Sequence, residues 1–137
     1  MQGVFSQEKL LFIYNTGSTI STTPYVKIES RGVTIGTIGF GEYTSDFFES
    51  NSVSLRFSRR GVGEKDRIIS MNNDIVVIKI SINNGTWEIE HQNYILVPHQ
   101  IKSICNSLIT DRIAIRVHER VSERSLRVVS SNGVHPP

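Results

Sequence analysis

Apolar and polar residues alternate along two neighbouring stretches in the second half of the chain. Residues 76–82 place a valine or isoleucine at every second position, which predicts a strand with one buried face. Asn84-Gly85 follows, and an Asn-Gly pair supplies the positive φ angles that a tight hairpin requires. Residues 86–90 alternate again with Trp87 on the apolar side, and a short apolar run at 94–97 comes next. The pattern predicts three consecutive strands, the first two joined as a hairpin.

The apolar period then changes to that of a helix. Beyond Pro98, apolar residues recur at intervals of three and four, at Ile101, Ile104, Cys105, Leu108 and Ile109. This spacing is the stripe of an amphipathic helix. Pro98 suits the first helical turn, because its missing N–H is not needed there. We therefore expect a helix over residues 98–110 that buries this stripe.

The rest of the chain is richer in strand patterns than in helix patterns. Alternation predicts further strands at residues 9–14, 25–29, 33–40, 53–57, 68–71 and 112–117. Residues 44–49 are expected to form a single helical turn, residues 58–67 an exposed charged loop, and the chain from about Val121 a mobile tail. The predicted fold is α+β: a β-rich single domain over residues 1–137, with antiparallel sheets and one clear amphipathic helix. An all-β sandwich with a helical lid is the alternative.

Composition narrows the class of protein only a little. The 137 residues carry a net charge of +2 and a single cysteine, so an internal disulfide is excluded. Cys105 lies on the helical stripe and is expected to be a buried structural thiol. No apolar run reaches the roughly 18–20 residues of a membrane span, and residues 1–5 lack the pattern of a secretory signal. We expect an intracellular protein without a membrane span; an organelle or the nucleus is included in this expectation.

The motifs of common enzyme classes are missing from the sequence. It has no phosphate-binding glycine loop, no HExxH motif and no paired Cys or His ligands. Glu88 and Glu90 share one strand face, as an acid–base pair would, but two glutamates on the polar face of a strand are typical of a solvated surface. We expect a protein that is not an enzyme, with no catalytic residue, no metal ligand and no cofactor.

Basic residues are concentrated around one predicted strand and the loop that follows it. Arginine on a sheet can track the phosphates of a single-stranded nucleic acid while exposed aromatic rings stack on its bases. An ordinary solvated surface is the alternative, since Glu64 and Asp66 lie among these residues. The candidate binding residues are Arg56, Phe57, Arg59, Arg60, Lys65 and Arg67, together with Tyr25 and Lys27 on an earlier strand.

Two stretches of the chain resemble the Whirly family of single-stranded nucleic-acid-binding proteins. The first covers residues 80–98, where an Asn-Asn turn leads to a strand that ends in Val-Pro before a helix. The second is the glycine-containing stretch 35–41 followed by Ser-Asp-Phe-Phe-Glu at 45–49. The resemblance spans about residues 9–118. It implies two sheet–helix repeats, a tetramer packed through helices, and single-stranded DNA on the sheets, or RNA as in the related kinetoplastid guide-RNA-binding proteins.

Two functions therefore remain open. The first is a single-stranded DNA- or RNA-binding module that forms a homo-oligomer. The second is a non-enzymatic, β-rich viral or phage structural protein of the virion, such as a capsid, matrix or tail component, whose arginines meet a protein partner. Binding to single strands rather than to duplex would separate the two.

Overall fold

The computed structural model of the protein describes residues 8–16 and 25–134, and these residues form eight strands, a 3-10 turn and one helix. The strands are β1 (Lys9–Asn15), β2 (Val26–Ser30), β3 (Val33–Ile38), β4 (Tyr43–Phe48), β5 (Ser52–Arg59), β6 (Gly63–Ser70), β7 (Ile75–Asn83) and β8 (Thr86–Gln92). The 3-10 turn at Tyr94–Leu96 precedes the helix α1 (His99–Val134).

The strands are divided between two four-stranded sheets. The order in the first sheet is β4-β1-β7-β8, and in the second it is β3-β2-β5-β6. All neighbouring strands are antiparallel except β1 and β7, which run parallel with Leu11 beside Val76. Parallel strands need a long crossover, and here β2 to β6 fill it. Each sheet is therefore assembled from separate parts of the chain.

The apolar faces of both sheets share one hydrophobic core. Every second residue of β5 and β7 points into it, which explains the alternation in the sequence. Burial of each such side chain contributes about 1.5–3 kcal/mol. Trp87 and Ile89 of β8 pack against the core while partly exposed, as the alternation in that strand predicts. The largest side chains of this core include Phe57, Ile13, Ile28, Leu55, Met71, Ile78 and Ile80.

The two sides of the sandwich differ in whether the edge strands of the two sheets contact each other. We call the side of β3 and β4 the closed side and the side of β6 and β8 the open side. On the closed side β3 lies against β4, where the Thr44 hydroxyl donates a hydrogen bond of 2.8 Å to the carbonyl of Ile35. Gly36 makes this approach possible, because a Cβ at that position would collide with the side chain of Thr44. On the open side, β6 and β8 are the last strands of their sheets.

Three chain reversals lie at one end of the sandwich, which we call the hairpin end. They are residues 39–42 between β3 and β4, residues 60–62 between β5 and β6, and residues 84–85 between β7 and β8. The last has φ angles of 52° at Asn84 and 75° at Gly85, so the predicted Asn-Gly turn is confirmed. The end of β1 joins this end, because the amide of Gly41 donates to the carbonyl of Asn15 over 2.8 Å.

The chain divides into two compact units, with the boundary between Pro98 and His99. The second unit contains α1, which confirms the predicted helix and extends it to Val134. Cys105 is buried as expected, whereas Ile101, Ile104 and Leu108 are half-buried. Farther along α1, three apolar side chains are exposed over half or more of their surface: Ile113, Ile115 and Val117.

Two predicted strands are not strands. Residues 112–117 belong to α1, because the helix that begins at His99 meets no glycine or proline before Gly133 and continues through their short alternation. Residues 94–97 contain the 3-10 turn instead of a strand. There the side chain of Asn93 accepts a hydrogen bond of 3.0 Å from the amide of Ile95, which caps the turn.

Two other local predictions are also wrong. Residues 44–49 do not form a helical turn, because Tyr43–Phe48 is β4 and pairs with β1 along its whole length. The charged segment 58–67 was expected to be the loop of a hairpin, and β5 and β6 do pair as a hairpin, but the segment is mostly strand and only residues 60–62 form the turn. In both cases pairing with a neighbouring strand overrides a weak local signal.

The observed class agrees with the prediction at the coarse level: the protein is β-rich, with two largely antiparallel sheets and one helix. The two sheet–helix repeats implied by the resemblance are not confirmed, since in residues 25–98 the strands follow one another with only the 3-10 turn among them. A single domain and a mobile tail from Val121 stay predictions. In the part of the chain that the structure describes, no helix is long and apolar enough to cross a membrane.

Candidate nucleic-acid interface

The pairing of β2 with β5 brings part of the predicted binding set to the hairpin end. Lys27 lies opposite Ser58. Since the two strands are antiparallel, Tyr25 just before β2 and Arg60 just after β5 lie at the same end of the second sheet. Tyr25 and Lys27 also share the outer face of that sheet, because the residue between them, Val26, is buried in the core.

Two aromatic rings are exposed at the hairpin end. Tyr25 is 58% exposed and Phe40 is 50% exposed. The Tyr25 ring lies over the backbone of Gly39, where an added Cβ would be 3.1 Å from ring atom Cε1. Phe40 was not among the predicted residues. The glycines at 39 and 41 on either side of it were the available signal, because they mark a turn that leaves the intervening side chain outside the sheet.

The prediction that Phe57 belongs to the binding surface is wrong. Its side chain is fully buried in the core, with its ring centroid 6.2 Å from that of Trp87. A buried ring presents no face to a base, so Phe57 stabilises the fold and does not contribute a stacking surface. The alternation of Val53, Leu55 and Phe57 already placed it on the apolar face of β5.

The guanidinium of Arg56 contacts two carboxylates on the neighbouring strand. On the outer face of the second sheet its guanidinium makes two hydrogen bonds to Asp66, of 2.8 and 3.1 Å, and lies 3.6 Å from Glu64. The hydrogen bond from Arg56 lowers the pKa of Asp66, and the same bond raises the pKa of Arg56. Both groups are exposed, so the pair contributes little to stability. This face carries balanced charge, and Arg56 is not a favourable phosphate contact.

Lys65 and Arg67 point away from the predicted surface. In the β5–β6 register, Lys65 lies opposite Phe57 and Arg67 opposite Leu55. Directly opposed residues of an antiparallel pair share one face, so both cations lie on the core-facing side of β6, at the open side of the sandwich. Each is half-buried. They do not join Tyr25 at the hairpin end.

The remaining cations at the hairpin end are matched by carboxylates. Arg60 is exposed in the β5–β6 turn. Arg59 is half-buried at the end of β5 and shares the core-facing side of that strand with Phe57, so, like Lys65 and Arg67, it does not lie on the face of Tyr25. Lys27 lies 3.4 Å from Glu29, in an exposed pair of the kind that contributes little. Glu42 is held by a hydrogen bond of 2.6 Å from the amide of Gly39. Glu64 also lies here, because it and Lys27 are both opposite Ser58. Even with Arg59 counted, three cations meet three carboxylates, so this region has no net positive charge.

A second group of aromatic residues lies on the outer face of the first sheet. Tyr43 is 44% exposed and stacks on the buried ring of Phe12, with centroids 4.8 Å apart and 25° between the planes. Tyr14 is opposite Tyr43 and beside Lys79. Burial raises the pKa of Tyr14, against the influence of Lys79, so its hydroxyl stays protonated at neutral pH. Sequence reasoning missed Tyr43 because it assigned the following residues to a helical turn.

The acidic pair on β8 is engaged in surface contacts. Glu88 accepts hydrogen bonds of 3.2 Å from Ser81 and 2.8 Å from Asn83, and Glu90 lies 3.4 Å from the ammonium of Lys79. Within residues 8–16 and 25–118, no group of three His, Cys, Asp or Glu side chains is arranged to hold a metal ion.

In comparisons with known proteins, no protein-family model and no curated protein sequence matches this chain.

Proposed function

We propose that the protein binds single-stranded nucleic acid at the hairpin end of its second sheet. The observation that carries the proposal is the exposure of Tyr25 and Phe40 at the same end of the sheet as Lys27 and Arg60. Bases stack on such rings whatever their identity, and cations hold the backbone. The proposal keeps three of the predicted residues, Tyr25, Lys27 and Arg60, and adds Phe40. It leaves out Arg56, Phe57, Arg59, Lys65 and Arg67.

Single strands suit this end better than duplex does. A base can reach a ring on a sheet only when it is not paired inside a helix. The hairpin end has no net positive charge, so it does not supply the dense phosphate contacts on which sequence-independent duplex binding depends. The resemblance to Whirly proteins points to the same ligand class, and an intracellular protein acting on DNA or RNA is part of the proposal.

The test is fluorescence anisotropy with a labelled single strand and its duplex, each at two salt concentrations. We expect tighter binding of the single strand near 0.15 M salt. Replacing Lys27 and Arg60 by alanine should weaken binding of every sequence alike and reduce the log–log salt slope by up to about 1.4, or about 0.7 for each lost phosphate contact. Arg31→Ala is the matched control, since Arg31 is exposed in the turn at the opposite end of the same sheet.

Stacking has a different signature from phosphate contact. Tyr25→Ala and Phe40→Ala should each cost about 1–3 kcal/mol in binding free energy and leave the salt slope nearly unchanged. Equal binding of single strand and duplex by the unmodified protein would contradict the proposal. In that case the non-enzymatic viral or phage structural protein becomes the better description, with the exposed rings as protein contacts.

A further inference from the structure

The open side of the sandwich presents a strand edge that is available for pairing. β6 is the outermost strand of the second sheet, and no described residue pairs with its outer edge. Alternate backbone N–H and C=O groups of such a strand point away from the sheet, where another extended segment can bond to them. Ile68, in the middle of this strand, is 75% exposed.

Two cations lie on the core-facing side of this edge. Lys65 and Arg67 are half-buried there, and within residues 8–16 and 25–118 neither forms an ion pair. Arg67 makes one hydrogen bond of 3.3 Å, to the backbone carbonyl of Asp66. Its other guanidinium donors have no hydrogen-bond partner among these residues. The charges on this side of β6 favour an anionic group.

A cleft of about 270 Å³ lies between β6 and the first sheet. Its floor is apolar and its rim carries Arg67 and His91, with no carboxylate among the lining side chains. The cleft is small compared with the roughly 300–1,000 Å³ of ligand pockets, and it suits a single apolar side chain. The lining residues are Arg67, Ile68, Ile69, Ser70, Ile78, Ile89 and His91.

The charge pattern disfavours a second copy of this chain at the edge. If β6 paired with another β6 in antiparallel fashion, Lys65 and Arg67 would meet the same cations on one face. Glu64 and Asp66 would meet the same carboxylates on the other face. β6 could also pair with the β8 edge of another copy, with the outer faces of the two sheets on the same side. That pairing would place the outer-face glutamates of β8 opposite Glu64 and Asp66. Like charges directly opposite each other destabilise paired strands.

We propose that the β6 edge binds an extended segment of another protein as an added strand. The segment would carry acidic side chains opposite Lys65 and Arg67 and an apolar side chain for the cleft. Backbone hydrogen bonds supply most of the affinity in this mode of binding, and the side-chain positions supply the specificity. This proposal does not depend on nucleic-acid binding at the hairpin end.

Three synthetic peptides test the proposal with the unmodified protein. The first alternates threonine and glutamate and ends in valine, the second has lysine in place of glutamate, and the third is the acidic peptide interrupted by proline. Trp87, the single tryptophan of the chain, reports binding by its fluorescence, because it contacts Phe57 and Phe57 lies opposite Lys65. Amide hydrogen exchange of β6 reports strand addition directly.

We expect the acidic peptide to bind and to protect the amides of β6. The basic peptide should bind on the order of tenfold more weakly, because two cross-strand charge pairs are reversed. The proline-interrupted peptide should not protect β6, since it lacks the backbone donors. Equal binding of acidic and basic peptides, or binding without protection of β6, would overturn the proposal. So would protection of β6 by single-stranded DNA but not by the acidic peptide.

Charge reversal is the decisive variant. Lys65→Glu with Arg67→Glu should exchange the preference, so that the basic peptide binds more tightly than the acidic one. The matched control is Arg31→Glu with Arg60→Glu, two exposed arginines outside the edge, which should leave the preference unchanged. If the reversed variant does not fold, Lys65→Gln with Arg67→Gln should remove the preference between the peptides, and a retained preference would refute the role of these two cations.

Discussion

The packing of β3 against β4 depends on the absence of a side chain at Gly36. A Cβ at this position would be 2.6 Å from Cβ of Thr44, on the strand that closes the side of the sandwich. Gly36→Ala should therefore lower the free energy of unfolding by about 1–3 kcal/mol, as overpacking does. Chemical denaturation measures the loss. Ser54→Ala, on the exposed face of β5, is the control and should be nearly neutral.

Adding Thr44→Ala to Gly36→Ala should recover little, because the obstructing Cβ of residue 44 is retained. Full recovery in the double variant would show that the hydroxyl and methyl groups alone cause the conflict. No pattern in the sequence indicates that a side chain at residue 36 would collide with Thr44. Gly36 looked like a residue that disfavours helix, and its partner Thr44 lay in a segment expected to be helical.

The thiol of Cys105 is fully buried on the apolar side of α1. Burial raises its pKa to about 11, compared with about 8.5 for a free thiol. At pH 8 the thiolate fraction, and with it the rate of alkylation, should be on the order of a hundredfold lower in the folded protein than in denaturant. Time-resolved labelling with iodoacetamide measures both rates.

The control for this labelling experiment is Ser107→Cys in a Cys105→Ser background. Ser107 lies two residues farther along the helix and is exposed, so its thiol should react at nearly the same rate in the folded and unfolded protein. Equally rapid alkylation of Cys105 and of the control in the folded protein would contradict the burial of Cys105. The helical spacing of the sequence was sufficient to predict this burial.

Exposure of single residues was predictable where alternation covered them and not elsewhere. Phe57 alternates with Val53 and Leu55, so the pattern already held the information that it is buried. Tyr25 and Phe40 lie just outside β2 and β3. Alternation with the buried Val26 still places Tyr25 on the outer face, whereas β3 ends before Phe40, so the alternation predicted for residues 33–40 does not give the direction of that side chain. Their position beside the same cations follows from strand pairing, which local patterns do not encode.

At the scale of elements, a short alternation of apolar and polar residues does not distinguish a strand from a helix. Residues 112–117 alternate as a strand does, yet they lie in the middle of a helix that starts thirteen residues earlier. The charged segment after β5 shows the opposite case. Its carboxylates at 64 and 66 alternate with cations at 65 and 67, so the period of two was present in charge rather than in hydrophobicity.

The Arg56–Asp66 pair across β5 and β6 should make stability depend on pH in the acid range. Because the hydrogen bond from Arg56 lowers the pKa of Asp66 below its unfolded value of about 3.9, the pair stabilises the fold above that pH. This contribution is lost as pH falls through the folded pKa. Asp66→Asn should thus be less stable than the unmodified protein at pH 7, with the difference shrinking below about pH 4.

Denaturation curves at a series of pH values measure this difference. Arg56→Gln removes the other partner and should show the same pH dependence, since either change eliminates the pair. A difference that persists unchanged into strongly acid solution would show that Asp66 acts through something other than its charge. The effect is expected to be small, because both groups are exposed to solvent.

At the scale of the whole molecule, the topology could not be read from the sequence. Most strands were placed within a few residues, since each has a buried face. Their order was not, because β1 pairs in parallel with β7, which begins 60 residues after the end of β1. That arrangement is selected by the fit of one shared core, to which strands from both sheets contribute. Hence the hairpin end and the open side emerged only from the structure.

Exposed apolar residues of α1 suggest that the whole molecule self-associates. Ile113, Ile115 and Val117 of α1 are each exposed over half or more of their surface, and exposed apolar groups of this kind are often covered by association. We predict a homo-oligomer, with a tetramer implied only by the resemblance. Its mass, measured by light scattering across a range of concentrations, should exceed that of the 137-residue chain.

The same measurement locates the contact. Ile113→Ser with Val117→Ser should lower the mass towards that of one chain, because the two changes remove apolar area that association would bury. Ser103→Ala with Ser107→Ala, on the exposed polar side of α1, should leave the mass unchanged. A single-chain mass at every concentration would remove the oligomer and, with it, the assembly that the resemblance implies. The same loss of mass in both double variants would mean that the helix is disturbed as a whole rather than through its apolar residues.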